Sequence, residues 1–140
     1  MLENDAIRIL DRLECLRLLA EVPLGRVVYT RQALPAVLPV NFVLDEDDSV
    51  VLYTSAVSDL VQAIDGAVVA FEADEFSAAT RSGWSVVVTG RADVVAEPAD
   101  HERLSRSGPQ SWMPVRDGVF VRIESDLVTG RATMGTRAPG

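Results

Sequence analysis

The chain has 140 residues, 48% hydrophobic and 24% charged, which supplies enough apolar surface for one compact core and excludes a disordered tail protein. Its 13 basic residues, all Arg, stand against 21 acidic ones for a net charge of −8. A duplex-binding protein needs the opposite sign to neutralise phosphates, so no nucleic-acid partner is expected.

Residues 1–10 carry Glu3, Asp5 and Arg8 among their apolar side chains, unlike the basic start and unbroken apolar run of a signal peptide. Asn4 or Asp5 can cap a helix over about residues 5–21, with Ile9, Leu10, Leu13, Leu16 and Ala20 at helical spacing. Pro23 and Gly25 end it. Within it Cys15 is the sole cysteine, so no intramolecular disulfide can form and a reducing, cytoplasmic setting is expected.

The pattern then changes to short β-type runs: Arg26 to Arg31, Val37 to Leu44, Val50 to Thr54, Ala67 to Asp74, Trp84 to Val95, Val119 to Ile123 and, more weakly, Leu127 to Thr133. Asp45–Ser49 has hairpin length, and its four acids read as a solvated turn. The longest run alternates, with Trp84, Val86, Val88, Gly90, Ala92 and Val94 on the face that should meet a core. Between the third and fourth runs, Ser58 caps a short helix with Leu60, Val61 and Ile64 inward and Gly66 as its stop. A further helix starts after Glu97-Pro98, includes the lone His101 as a solvated residue, and ends before Ser107-Gly108-Pro109. The tail, about residues 134–140, should fray. No run approaches about 18 apolar residues, so no membrane partner is expected.

Six or seven strands with two or three peripheral helices, no internal repeat and no linker predict a mainly β, antiparallel barrel spanning residues 1–140 as a single domain. Conventional side-chain catalysis finds little support in this composition. Glu72, Asp74 and Glu75 cluster at one strand end and read as a solvated acidic fringe, Ser55, Ser58 and Ser85 lack a nucleophile elbow, and one His excludes a His-based triad or a multi-His metal centre within one chain. No metal site is expected. What remains is a cofactor enzyme or a binding protein.

Several segments, taken in order, carry a resemblance: Pro23-Leu24-Gly25-Arg26-Val27-Val28, Leu38-Pro39-Val40-Asn41-Phe42, Val51-Leu52-Tyr53-Thr54-Ser55, Val69-Ala70-Phe71-Glu72-Ala73-Asp74 and Gly83-Trp84-Ser85-Val86-Val87-Val88-Thr89-Gly90-Arg91-Ala92. From about residue 13 to residue 133 the chain resembles the pyridoxamine 5'-phosphate oxidase-like flavoproteins. The resemblance implies a six-stranded antiparallel, FMN-binding split barrel that pairs as a homodimer, with flavin sites in the grooves between subunits. It implies that Pro39, Val40 and Asn41 lie along the isoalloxazine and that Tyr53, Thr54, Ser55 and Ser58 receive the ribityl phosphate, helped by the amides that open the Ser58 helix. Trp84 suits the core, a dimer contact or ligand stacking. Trp112, in the irregular stretch Gln110-Ser111-Trp112-Met113-Pro114, is placed to cover a flavin edge.

One departure stands out: Asp59 occupies a position where the family carries Lys or Arg. A carboxylate beside a phosphate needs a compensating cation, and Arg26, Arg81 and Arg91 are the candidates. Arg116 and Arg122 meet either an anionic cofactor or neighbouring acids. The resemblance therefore implies an FMN-dependent oxidoreductase acting on a small molecule. The alternatives are a deazaflavin-dependent reductase and a non-catalytic or degenerate barrel.

Overall fold

A computed structural model of the chain describes residues 7–134. Its elements in order are β1 (Ile7–Leu10), α1 (Arg12–Leu19), β2 (Leu24–Arg31), β3 (Leu34–Leu44), β4 (Val50–Ser55), α2 (Asp59–Ile64), β5 (Val68–Ser77), β6 (Ser82–Val94), α3 (Pro98–Ser107), β7 (Gly118–Ile123) and β8 (Leu127–Met134). All pairings are antiparallel. Strands β6, β5, β2, β3, β4 and β7 pair in that order, and β7 returns to β6 to close a six-stranded barrel. The two extra strands lie outside the ring, β8 on β6 and β1 on β8.

Strand β6 serves both parts. Residues from Ser82 to Thr89 pair with β8, while Ala92, Asp93 and Val94 pair with β7. Its alternation holds: Trp84, Val86, Val88, Gly90 and Ala92 are buried, and the residues between them are not. They meet Val27, Phe42, Leu52, Phe71 and Ile123 from the other strands, where each fully buried large apolar side chain contributes about 1.5–3 kcal/mol. Helix α2 closes the barrel with Leu60, Val61 and Ile64, and Gly66 stops it at φ +81°. That is a left-handed conformation natural to glycine.

The ring is uneven. β4 and β7 share a six-residue register, from Val50↔Ile123 to Ser55↔Gly118. This ribbon joins β3 only from Phe42↔Leu52 to Leu44↔Val50, and β6 only from Ala92↔Ile123 to Val94↔Val121. Beyond these seams the ladder from Tyr53 to Ser55 has no second strand beside it, and the barrel is split there.

The N-terminal reading is corrected. Ile7–Leu10 form a strand on β8 and the helix begins at Arg12, because Asp11 and Glu14 make a reciprocal capping box. Its buried residues are Cys15, Leu16 and Leu19, whereas Ile9 and Leu13 are exposed. The proposed caps Asn4 and Asp5 lie outside the described residues, as do residues 135–140 of the tail, while Met134 still belongs to β8. The turn after β3 is also not simply solvated. The Asp45 side chain is 8% exposed, held by Arg103 at 2.8 and 3.0 Å and by Arg122 at 2.7 Å. Those guanidiniums hold its carboxyl well below the usual range. This clamp fixes α3 against the outer face of the ribbon, where Leu104 packs on Val51 and Phe120. Among the described residues no helix is long and apolar enough to cross a membrane.

Candidate functional site

A cavity of about 440 Å³ opens between α3, the β4–β7 ribbon and the segment that leads from α3 to β7, within the size range of small-molecule sites. Its floor is aromatic. The Tyr53 and Phe120 rings, on facing positions of β4 and β7, lie 4.8 Å apart, and His101 from α3 meets Phe120 edge-on at 5.3 Å. Tyr53 can lie across β7 only because residue 118 is glycine, since a Cβ there would overlap its ring and hydroxyl. The remaining wall comes from Leu104, Ser105, Pro109, Ser111 and Met113. His101, read from sequence as merely solvated, is exposed yet forms part of this wall.

Asn41 joins two chain segments beside the split. Its amide donates to the Pro23 carbonyl at 3.1 Å, and its Oδ1 accepts from the Trp112 backbone N–H at 2.8 Å. Trp112 itself is 70% exposed. Of the residues singled out in sequence, Asn41 and Trp112 are thus joined to each other, and Tyr53 lines the cavity together with Ser111 and Met113, the neighbours of Trp112. Val40 is half-buried beside Asn41, and Pro39 is exposed on β3 opposite Arg26. Trp84 goes elsewhere: it is 8% exposed within the core.

Thr54 and Ser55 end β4 half-buried, and the Ser55 carbonyl accepts from the Ser58 N–H at 3.1 Å just before α2. The Ser58 side chain is engaged as the helix cap, accepting from the Val61 N–H at 3.2 Å. The cation facing Asp59 is Arg31, at 3.0 Å, in a shallow pocket shared with Thr30, Gln32 and Gln62. None of the three arginines considered from sequence fills that role. Arg26 bonds Glu72 and Asp74, Arg91 bonds Asp93, and Arg81 makes no ion pair among the described residues. Arg122 serves Asp45 rather than a ligand. Sequence reasoning missed Arg31, Phe120 and Gly118. Their roles depend on which strands become neighbours, although the two-residue spacing that puts Phe120 and Arg122 on one face was readable.

The acidic cluster is a true pair on the outward face of β5. Arg26 Nη1 lies 3.1 Å from Glu72 and 3.5 Å from Asp74. Burial and the neighbouring Asp74 carboxylate push the Glu72 carboxyl up to about 7 against the pull of Arg26. Glu72 and Asp74 do not line the cavity. Among the described residues, no group of three or more His, Cys, Asp or Glu side chains could hold a metal ion.

This barrel and the order of its segments match the pyridoxamine 5'-phosphate oxidase family over residues 11–132. The chain belongs to that family. It is 43% identical over 135 residues to the uncharacterized protein Rv0080 of Mycobacterium tuberculosis, covering 93% of this chain and 88% of that one. The FAD-binding protein from Mycobacterium smegmatis shares its fold at a TM-score of 0.76 and 34% identity, covering 90% of this chain and 97% of that one. A conserved protein of unknown function from Corynebacterium diphtheriae superimposes with a TM-score of 0.77 at 36% identity, with 92% and 99% covered. Of these relatives, the M. smegmatis protein is described as FAD-binding.

Proposed function

We propose that this protein is an FMN-dependent oxidoreductase that works as a cytoplasmic homodimer on a small organic molecule. The observation that carries the reading is an open cavity floored by the Tyr53 and Phe120 rings and walled by the segment from Pro109 to Val115, whose Trp112 backbone is tied to Asn41. That lining fits a planar ring system, because aromatic faces favour stacked or edge contacts with such rings. Tyr53 and Phe120 would carry the ring, the segment bearing Trp112 would border it, and Thr54 and Ser55 would supply hydroxyl donors for the ribityl phosphate. Arg31 would add positive charge there, partly cancelled by Asp59.

When bound, a flavin supplies hydride or electron transfer that these side chains cannot perform alone. The residues of the chain would orient it, exclude water from one face through Leu104, Pro109 and Met113, and leave the open side of the cavity for substrate. The exposed apolar residues Val28 and Val37, cross-strand partners on β2 and β3, give the barrel a face suited to a second copy. The M. smegmatis neighbour described as FAD-binding supports the flavin class.

The test is the visible absorption spectrum of the purified protein before and after incubation with FMN, and in parallel FAD, followed by gel filtration. Retained flavin bands near one per chain are the expected result. A protein that stays colourless with both overturns the flavin reading and favours a deazaflavin coenzyme or a cofactor-free barrel.

A further inference from the structure

We propose that Asn41 is a positioning residue whose side chain latches the segment between α3 and β7, fixing one wall of the cavity and the placement of Trp112. The inference rests on the cavity being the ligand site proposed above. Residues 108–117 have no helix or strand of their own, and Pro109 and Pro114 contribute no N–H donor. Gly108 bonds back to Leu104 within the end of α3, and Met113 bonds locally to Ser111. Of the hydrogen bonds made by residues 109–116, among the described residues, the one that reaches the barrel is Trp112 N–H to Asn41 Oδ1. It spans 71 positions in sequence. Pro109 is buried at one end, and the Asp117 carbonyl accepts from Ala56 at the other. The middle therefore depends on Asn41.

Asn is suited to this place because its amide offers an acceptor and a donor at once. Oδ1 takes the Trp112 N–H while Nδ2 gives to the Pro23 carbonyl, which prevents the amide from turning away. Asp would keep the acceptor but set a carboxylate against that carbonyl, and Leu would keep the bulk and lose both bonds. The latch also crosses the split in the barrel, so one side chain couples β3 to a wall standing over β4 and β7. A single hydrogen bond of this kind changes an equilibrium about 2- to 10-fold, enough to be read in ligand affinity.

The experiment compares wild type, Asn41→Leu, Asn41→Asp, Trp112→Ala and the Asn41→Leu/Trp112→Ala double variant. Riboflavin, which has no phosphate, is the probe, so that the phosphate segment does not enter. Trp112→Ala keeps the backbone N–H and removes only the indole. Expected are about 5-fold weaker riboflavin binding in Asn41→Leu, an intermediate loss in Asn41→Asp, and a much smaller effect of Asn41→Leu once the indole is gone. Amide exchange at Trp112 should speed up in Asn41→Leu, and acrylamide quenching, dominated by Trp112 because Trp84 is buried, should change with it. Unchanged Trp112 exchange in Asn41→Leu overturns the latch, and so does an equal loss of affinity with and without the indole. If wild type binds neither riboflavin nor FMN, the flavin reading fails, while the exchange and quenching measurements still decide the latch. If Asn41→Leu does not fold, Asn41→Ala, which also removes the acceptor, carries the same test.

Discussion

Asp59 and Arg31 show how one charge can matter without being buried. Their side chains are 63% and 48% exposed, so the pair adds at most about 1 kcal/mol to stability, yet it engages the cation that faces the first residue of α2. Asp59→Lys should raise FMN affinity about tenfold at low salt and less at high salt, with riboflavin affinity unchanged; fluorescence titration of both ligands checks this. The sequence revealed the misfit of an acid at position 59 but not its partner, because Arg31 reaches it only through the packing of α2 beside the β2–β3 hairpin. Glu72 was legible as part of a cluster, though not as a proton-holding group. Its folded-state value near 7 lies above the ordinary 4.5, so between these pH values the unfolded chain gives up a proton that the folded chain keeps. Stability accordingly falls as pH rises through that window. Glu72→Gln should melt at the same temperature as wild type near pH 4.5 and about 3 °C higher at pH 8.

At the level of elements, most strands were readable because period-two alternation and turn residues agree, as along Trp84–Ala92. The N-terminal helix was placed too early because Ile9, Leu10 and Leu13 mimic helical spacing, whereas the Asp11–Glu14 capping box and pairing with β8 decide the boundary. Asp45 carries a comparable lesson, since four consecutive acids look solvated until α3 brings Arg103 over one of them. Asp45→Asn should cost about 2 kcal/mol, seen as a fall in melting temperature of about 6 °C and faster amide exchange in α3. Because the Asp45 carboxyl is held low, this contribution is present at neutral pH and is lost as pH falls below the ordinary carboxylate range. The β2–β3 turn holds Gln32 at φ +50° and Ala33 at φ +66° between Arg31 and Leu34. Asn and Gly suit that left-handed pair better, so Gln32→Asn with Ala33→Gly should raise stability by about 1 kcal/mol, measured by urea unfolding.

For the molecule as a whole, an antiparallel barrel was legible from the number, length and spacing of the strands, and its closure by six of them from the family resemblance. The cavity was not, because its floor and walls come from residues far apart in sequence that meet only after the barrel closes and α3 docks. Residues 39–41 and 53–58 had been marked through resemblance alone, and the structure unites only some of them with Trp112. If the exposed face bearing Val28 and Val37 is a subunit contact, the protein should sediment as a dimer. Val37→Asp should then shift it to a monomer and lower flavin retention at least tenfold, both read on one gel-filtration run with absorbance detection.

The uneven ladder has a mechanical consequence. Tyr53, Thr54, Ser55 and Gly118 sit at the end of a two-stranded ribbon held at its base by the three-pair seams to β3 and β6, while Phe120 is held by Leu104 and the Val95 N–H. Amide protons should therefore exchange faster at the Thr54–Ser55 end than at Val51 and Leu52, and a bound ring should slow that exchange.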